Sequence, residues 1–310
     1  MTTTLTDMID ETLINLAGYT FQQDRSTYLR AAITTTTSSS DSPLIMSLGS
    51  TESVGKGIVE IDDELLWVDN YDRIANTATV APYGRGYLGT TAAVHSVDKK
   101  VTISPTFPRH SVKRAINDTL RALGANIFAV KSTTFTFNSA VSTYAFSNLN
   151  IKNILTVSWQ EVGPSKEWRP IRRYDFDSLA NAAAFGYTTE QVQTITLGEA
   201  PISGRTVKIT YATDPVAFTT DAQDYVIQTG LPESTRDVVI LGAAYRLLSF
   251  LDPARAAQVS PQADETDSKR PYGASQSATK QLYALYSQRL NEETKAQQQN
   301  YPPKVHYSRR

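Results

Sequence analysis

The chain of 310 residues contains no cysteine. This absence excludes disulfide frameworks, zinc sites with thiolate ligands and cysteine nucleophiles together. Histidine is scarce as well, because only His95, His110 and His306 occur, and none has the i, i+4 partner typical of a metal site. We therefore expect no metal and no cofactor, and we expect each histidine to be a surface or capping residue.

A charge excess of either sign is also missing. Lys and Arg together number 30 and Asp and Glu 31, so the formal net charge is −1. A protein that coats DNA by itself needs a strong basic field, so any nucleic-acid contact here must be local. The sequence shows no cationic leader and no apolar run of the ~18 residues that cross a bilayer. We expect a soluble, unexported intracellular product with no membrane partner.

Motifs for catalysis are absent too. The chain has no GxSxG elbow, Walker loop or HExxH motif, and the acidic run "EIDDELLWVD" lacks the spacing of a calcium loop. The glycine-rich stretch "APYGRGYLGTTAAVH", residues 81–95, leads to a predicted strand and not to the helix that a dinucleotide site requires. We interpret Gly84, Gly86 and Gly89 as residues that permit positive φ in a looping connection. The chain is predicted not to be an enzyme, with paired acids scattered across the fold as the open alternative.

Hydrophobic periodicity predicts alternating helical and β regions. Helices are predicted at residues 4–17, 107–130, 231–253 and 274–298. Short strands are predicted from 43 to 105, with a turn at Asp62-Asp63, and from 131 to 214, with Leu155, Val157 and Trp159 on one face and a hairpin at Ser203-Gly204. Residues 33–43 are predicted as a strand end and loop or a flexible linker, and residues 173–190 as loop with one helical turn.

The predicted fold class is α+β, a discontinuous helical bundle with two inserted antiparallel β domains of small barrel or sandwich type. None of the predicted helices is long enough to be a domain, so we expect them to pack together as the hub. The predicted boundaries are 1–30, 106–130 and 230–300 for the bundle, 31–105 and 131–229 for the β domains, and 301–310 for an extended C-terminal arm.

The acidic strand pair and the glycine-rich stretch together resemble a pattern found in tailed-bacteriophage virion proteins. The pattern covers about residues 57–103, and the matching residues are Ile61, Asp62, Glu64, Leu65, Arg85, Gly86, Gly89, Thr90, Ala92, Ala93, His95 and Val101. Combined with a helical bundle that carries β insertions and ends in a tyrosine-rich helix, the whole resembles the head-to-tail adaptor (connector or neck) family of these phages.

This resemblance implies a structural virion protein at the head-tail junction, assembled in the host cytoplasm. Its partners would be the portal protein, tail or further neck proteins, and other copies of itself in a ring, usually of twelve, through which genomic DNA passes without sequence-specific contact. One alternative is a minor tail or baseplate protein. Another is a virion carbohydrate-binding module that uses Trp159, Trp168, Tyr174 and Tyr187, although aromatic residues of β domains more often lie in the core.

Three segments are predicted to make interactions. The glycine-rich stretch is predicted to be an assembly or packing element, and the basic segment "RPIRRYDF" either pairs with acidic residues of a neighbouring subunit or guards a strand edge. After Pro302 and Pro303, the C-terminal arm is predicted to dock by strand addition, with a disordered tail or a DNA contact as alternatives. The predicted interaction residues are Arg85, Gly86, Gly89, His95, Arg172, Arg173, Tyr301, Val305, Tyr307, Arg309 and Arg310.

Overall fold

The computed structural model describes residues 3–19, 24–147, 149–163, 166–186, 191–199, 201–249 and 274–302. Within these ranges the chain forms helices and antiparallel sheets, which confirms the predicted α+β class. The α-helices are α1 (Leu5–Ala17), α2 (Arg109–Leu123), α3 (Tyr225–Thr229), α4 (Arg236–Ser249) and α5 (Ala274–Asn300). None of the described helices is both long and apolar enough to cross a membrane.

The strands of the described residues form three sheets. In chain order they are β1 (Arg25–Tyr28), β2 (Ile45–Ser47), β3 (Gly57–Ile61), β4 (Glu64–Asp72), β5 (Thr77–Val80), β6 (Lys100–Ile103), β7 (Ala129–Thr136), β8 (Thr143–Phe146), β9 (Asn153–Gln160), β10 (Trp168–Pro170), β11 (Tyr174–Asn181), β12 (Gln191–Leu197) and β13 (Thr206–Thr213). The sheet orders are β1-β6-β3-β4-β5-β2, β10-β9-β13-β7 and β11-β12-β8.

The six-stranded sheet curls into a half-barrel. Its two outermost strands, β1 and β2, meet where Leu29 bridges Leu48 and the N–H of Arg30 donates to Ser47 O at 2.8 Å. The predicted turn at Asp62-Asp63 joins β3 to β4, as expected. The prediction missed β1, which falls among residues assigned to the helical bundle, because its four mostly exposed residues carry no apolar alternation.

The other two sheets face each other as a sandwich around one apolar core. Both sheets contribute to this core, for example through Ile195 of β12 and Ile209 of β13. The predicted hairpin at Ser203-Gly204 is wrong, because β12 pairs with β8 and β11 whereas β13 pairs with β7 and β9. Between β12 and β13 the chain therefore crosses from one sheet to the other. Apolar alternation looks the same in a hairpin and across a sandwich, so the sequence could not separate the two.

A bulge in β9 changes which residues face this core. The pairing with β13 shifts between Thr210 and Tyr211, and the register leaves Leu155 as the extra residue. Ile154 and Val157 are consequently buried, whereas Leu155 is only half-buried. The predicted face of Leu155, Val157 and Trp159 is therefore wrong at its first member.

Residues 174–181 differ from the prediction in a similar way. They form β11 and not a loop, although β11 is irregular between Asp177 and Ala180, and the predicted helical turn follows as a 3-10 turn at Ala182–Phe185. Two aspartates and a bulge hide the strand pattern in this segment, since Asp is depleted in strands. Residues 33–43, by contrast, form the predicted loop, with a single bridge from Ile33 to His95.

The helices form where apolar residues recur at helical spacing. In α2, Val112, Ile116 and Leu120 are fully buried along one face, as the periodicity predicts. This helix ends at Leu123, before the predicted position 130, because Gly124 follows and the N–H groups of residues 126 and 127 turn back to Leu123 O.

The chain divides into two compact units, each described separately. The sandwich unit comprises Met1–Leu5, Thr119–Val238 and Ser287–Arg310, and the half-barrel unit comprises Thr6–Asp118 and Val239–Tyr286. Helices α1, α2, α4 and α5 each contribute residues to both units. The packing of all helices into one hub, with the domain boundaries that follow from it, stays a prediction.

Candidate functional site

A buried ion pair lies beneath the glycine loop, the name used here for residues 81–95 of the half-barrel unit. Arg85 points inward and holds Glu64 of β4 through two bonds, from Nε to Oε1 at 2.6 Å and from Nη2 to Oε2 at 2.8 Å. The side chains are only 3% and 1% exposed. Such a two-pronged bond between ionised groups fixes geometry and is stronger than a neutral hydrogen bond.

Glu64 also binds the backbone at two points of the loop. Its Oε1 accepts the N–H of Gly86 at 3.1 Å, and its Oε2 accepts the N–H of Ala93 at 2.9 Å. Burial alone would raise the pKa of Glu64, but hydrogen bonds from Arg85, His95 and these two backbone groups lower it to about 2. The carboxylate is therefore ionised at neutral pH and joins the two arms of the loop to β4.

His95 completes this network. It is 3% exposed, and its Nε2 lies 2.9 Å from Glu64 Oε2 while its Nδ1 lies 3.1 Å from Asp62 Oδ2. Burial by itself would lower the pKa of His95, but the two carboxylates raise it above its usual value. The expectation of a surface or capping residue is therefore wrong for His95. Its partners are more than thirty positions away, at a distance where sequence spacing carries no signal.

The three glycines of the loop serve two different purposes. Gly86 and Gly89 have φ of 61° and 84°, which confirms the prediction of positive φ for both. Gly84 is not among the positive-φ residues, so the prediction is wrong there. A Cβ at Gly84 would lie 2.9 Å from the carbonyl oxygens of both Ala81 and Trp67. That position needs a small residue because two backbone segments approach it closely.

The outer surface of the glycine loop is apolar. Tyr83 is 89% exposed and Leu88 is 66% exposed, and their φ values are 58° and 55°. Left-handed backbone at residues other than glycine is strained and persists where the surrounding structure holds it in place. The bonds of Arg85 and His95 to Glu64 supply that support from below. The charged side chains therefore shape the loop, and the apolar side chains are the ones that a partner can touch.

A second buried carboxylate, which the sequence analysis missed, lies close to the first. Glu60 of β3 is 5% exposed and accepts the backbone N–H of Arg109 at the start of α2. Burial raises the pKa of Glu60 to about 7, although the bond from Arg109 and its charge act in the opposite direction. Alternation in β3 gave no signal of this burial, because it places Glu60 on the face opposite to Val59 and Ile61, where Glu60 binds the start of α2.

These groups are arranged to bind one another. Among the described residues, no set of three or more His, Asp or Glu side chains has the arrangement of a metal site. Glu64 has each oxygen engaged by Arg85 and by a backbone N–H, and His95 has both ring nitrogens against carboxylates. The chemistry that this cluster performs is therefore structural, since its charges neutralise each other under the loop.

The predicted basic segment lies at an edge of the sandwich. Arg169 is in the edge strand β10 and binds Glu161 at 2.8 Å, with both side chains exposed. Arg172 and Arg173 follow β10, are exposed, and form no ion pair within the described ranges. Both predicted roles stay open for this segment, since a charged edge is protected from aggregation and the two free guanidinium groups can reach a partner.

Among the aromatic residues weighed for carbohydrate binding, the three that the structure describes have different surroundings. Trp159 and Tyr174 pack against the sandwich core. Trp168 is 40% exposed, and the Nζ of Lys208 lies 5.0 Å from the centre of its ring. Tyr187 lies outside the described residues. Trp159 and Tyr174 thus have the core role that is common for aromatic residues in β domains.

The described part of the C-terminal segment is held against the start of β7. Gln297 of α5 accepts the N–H of Phe128 at 3.1 Å and donates to its carbonyl oxygen at 2.6 Å. The rings of Tyr301 and Phe128 are 6.2 Å apart. Pro302 is the last described residue, so the predicted interaction residues Val305, Tyr307, Arg309 and Arg310 lie outside the described ranges.

No curated protein matches the chain. The SU10 adaptor protein family matches residues 90–306, more than two-thirds of the chain. The matched range contains five of the residues that carried the resemblance to phage adaptors, namely Thr90, Ala92, Ala93, His95 and Val101. On this match, the chain belongs to the SU10 adaptor protein family, a family of structural head-to-tail adaptors of phages and not of enzymes.

Proposed function

We propose that this protein forms a closed ring beneath the portal of a phage virion, extends the DNA channel and provides the surface on which the tail docks. The family match across residues 90–306 carries this proposal. The near-neutral net charge of −1 supports it, because a strongly basic channel would bind phosphates and retard the passing DNA. The partners are then the portal protein, tail or further neck proteins, and other copies of the chain.

Ring closure requires a heterologous interface, in which one surface of a subunit binds a different surface of the next. With the right rotation between neighbours, such an interface closes into a ring and not into a dimer. We expect twelve copies, assembled on the portal in the host cytoplasm. The exposed guanidinium groups of Arg172 and Arg173 are available for carboxylates of a neighbouring subunit, and the exposed Tyr83 and Leu88 provide apolar contact area.

In this proposal the residues of the glycine loop act indirectly. Arg85 and His95 are buried, so they hold the loop in shape while Gly86 and Gly89 supply its turns. The loop belongs to the half-barrel unit, and the basic segment and the C-terminal arm belong to the sandwich unit. Each unit thus offers its own surface for assembly.

The test is the number of copies that bind one portal. Purified protein is mixed with portal-bearing particles, and the mass of the isolated complex is measured. We expect a stoichiometry of twelve, and fewer than six copies would contradict the ring. Arg172→Glu and Arg173→Glu, made singly and together, should reduce the copy number, whereas Arg114→Glu, a charge reversal at an exposed arginine of α2, serves as the control for the single variants and should leave it unchanged.

A further inference from the structure

The outer edge of β7 is unpaired within the described residues. β7 is the last strand in the order β10-β9-β13-β7, and it pairs only with β13. In an antiparallel pair, every second residue directs its N–H and C=O groups away from the partner strand. One side of β7 therefore presents a row of backbone donors and acceptors that match those of another strand.

This edge lacks the protection that the other sandwich edges have. β10 is three residues long and ends in Pro170, β11 carries two aspartates and a break in register, and β8 has four residues. β7 runs for eight residues in unbroken register with β13, contains no proline and has Lys131 as its one charge. Long, regular edges with few charges are the ones that accept an additional strand.

Beside this edge lies an aromatic cluster that is only partly covered. The ring of Phe135 is 4.2 Å from that of Tyr144 and 5.9 Å from that of Phe146. All three side chains pack against the sandwich core and are only partly buried. A strand added to β7 would place every second side chain next to this cluster, where an apolar side chain would gain burial.

The C-terminal residues have the length and the pattern of such a strand. Residues 304–308 at about 3.3 Å per residue would span about 16 Å, which fits within the eight residues of β7. Val305 and Tyr307 alternate with His306 and Ser308, so one face is apolar and the other polar. Proline has no N–H to donate, so pairing can begin only after Pro303.

We propose that residues 304–308 of one subunit add as an antiparallel strand to the outer edge of β7 in a neighbouring copy, with Val305 and Tyr307 toward the aromatic cluster. This inference rests on the proposed ring and names one of its interfaces. The donated segment and the accepting edge are different surfaces, as ring closure requires.

Pairing within one subunit is disfavoured by direction. Gln297 and Tyr301 hold the end of α5 beside Phe128, the residue immediately before β7. A segment that continues from Pro302 along its own β7 must therefore run parallel to it. Every described strand pair of this chain is antiparallel, and parallel pairing is somewhat less stable per residue. A neighbouring copy can approach β7 in the antiparallel direction.

The absence of cysteine makes a cross-linking test direct. His306→Cys is combined in turn with Ser132→Cys, Thr134→Cys and Thr136→Cys, which are all exposed on β7. A disulfide forms only when the two Cα atoms lie within about 7 Å, so three positions cover the possible registers. The matched control combines His306→Cys with Leu179→Cys, which is 68% exposed on the edge strand β11.

The variants are assembled on portal-bearing particles, the copy number is measured, and the particles are oxidised and separated under denaturing, non-reducing conditions. We expect a ladder of covalent multimers for at least one β7 position and none for the Leu179 control. The strand inference is wrong, and the ring stands, if rings of the expected copy number form but no β7 variant gives a ladder. The same holds if the Leu179→Cys control gives an equal ladder, or if the β7 variants give only internally cross-linked monomers. If no ring forms even with the unaltered chain, the proposed function itself is wrong.

Discussion

The two units of this protein are stabilised by different chemistry. The charged side chains that are buried among the described residues, Glu60, Glu64, Arg85 and His95, all belong to the half-barrel unit. The sandwich core is a cluster of apolar and aromatic residues, and its ion pairs, such as Arg169 with Glu161, lie at the surface. Both units therefore have an apolar core, and among the described residues only the half-barrel adds buried pairs of charges to it. The two units should respond differently to substitutions and to pH.

Substitution of Glu64 should give the largest effect. Glu64→Gln removes the charge that pairs with Arg85 and His95, and it leaves a buried guanidinium without a counter-charge. We expect a loss of about 3–5 kcal/mol in the stability of the half-barrel unit. Because the chain has two units, hydrogen exchange followed separately in peptides from each is the suitable measurement.

The control for this experiment is Glu161→Gln in the sandwich unit. It removes an exposed pair between the same two residue types, for which we expect about 0.2–1 kcal/mol or less. If the two substitutions had equal effects, the contrast between the units would be wrong. A useful third variant replaces Arg85 and Glu64 together by Met and Leu, which should restore part of the lost stability because no buried guanidinium is left without its carboxylate.

Substitutions at the bulge in β9 should give the next largest loss of stability, in this case in the sandwich unit. Ile154→Ala removes a buried side chain and should cost about 2–5 kcal/mol, whereas Leu155→Ala removes a half-buried one and should cost clearly less. Denaturant unfolding followed by exchange in the sandwich peptides measures both. If Leu155→Ala cost more stability than Ile154→Ala, the strand would have regular alternation and the bulge would be absent.

Substitution of Glu60 should change the stability of the half-barrel less than substitution of Glu64, and in the opposite direction. The pKa of Glu60 in the folded protein is about 7, above the ordinary value of 4.5, so the folded state favours the protonated form. The half-barrel therefore loses stability as pH rises from 4.5 to 7, because the carboxyl ionises in the unfolded chain first. Glu60→Gln should raise stability on the order of 2 kcal/mol at pH 8 and leave it nearly unchanged at pH 4.

The matched comparison for this pH effect is Glu64. Its pKa is lowered to about 2, so its contribution is complete above pH 4.5 and is lost as pH falls toward 2. Stability curves of the two Gln variants between pH 3 and pH 8 should therefore diverge from the unaltered protein in opposite directions. A Glu60→Gln variant that is less stable at pH 8 would contradict the burial of an ionisable Glu60.

Local sequence signals predicted the elements whose determinants lie close together in the chain. The turn at Asp62-Asp63, the positive φ of Gly86 and Gly89, and the buried face of α2 each depend on residues a few positions apart. The features that were missed depend on distant partners. His95 gains its role from Glu64, and β12 and β13 separate because each finds a partner in a different sheet.

The glycine loop shows the same contrast between local and distant determinants. The glycine loop was recognisable from its composition, but the inward direction of Arg85 follows from Glu64, which lies 21 positions earlier on β4. Periodicity also has no means to reveal an inserted residue, and the extra Leu155 therefore moved the predicted face of β9 by one position. The C-terminal arm and the ring remain predictions for the experiments described above.

Several donors share Glu64, so substitutions at the positions that form this network should depend on one another during evolution. A single replacement at 64 or 85 leaves a buried charge without its main counter-charge, and one at 95 removes the link between Glu64 and Asp62. Accepted changes at these positions should therefore occur together, while Tyr83 and Leu88 above them vary one at a time with the partner that they touch. A library randomised at all five positions and selected for assembly would show pairwise linkage among the first three and independent variation at the other two.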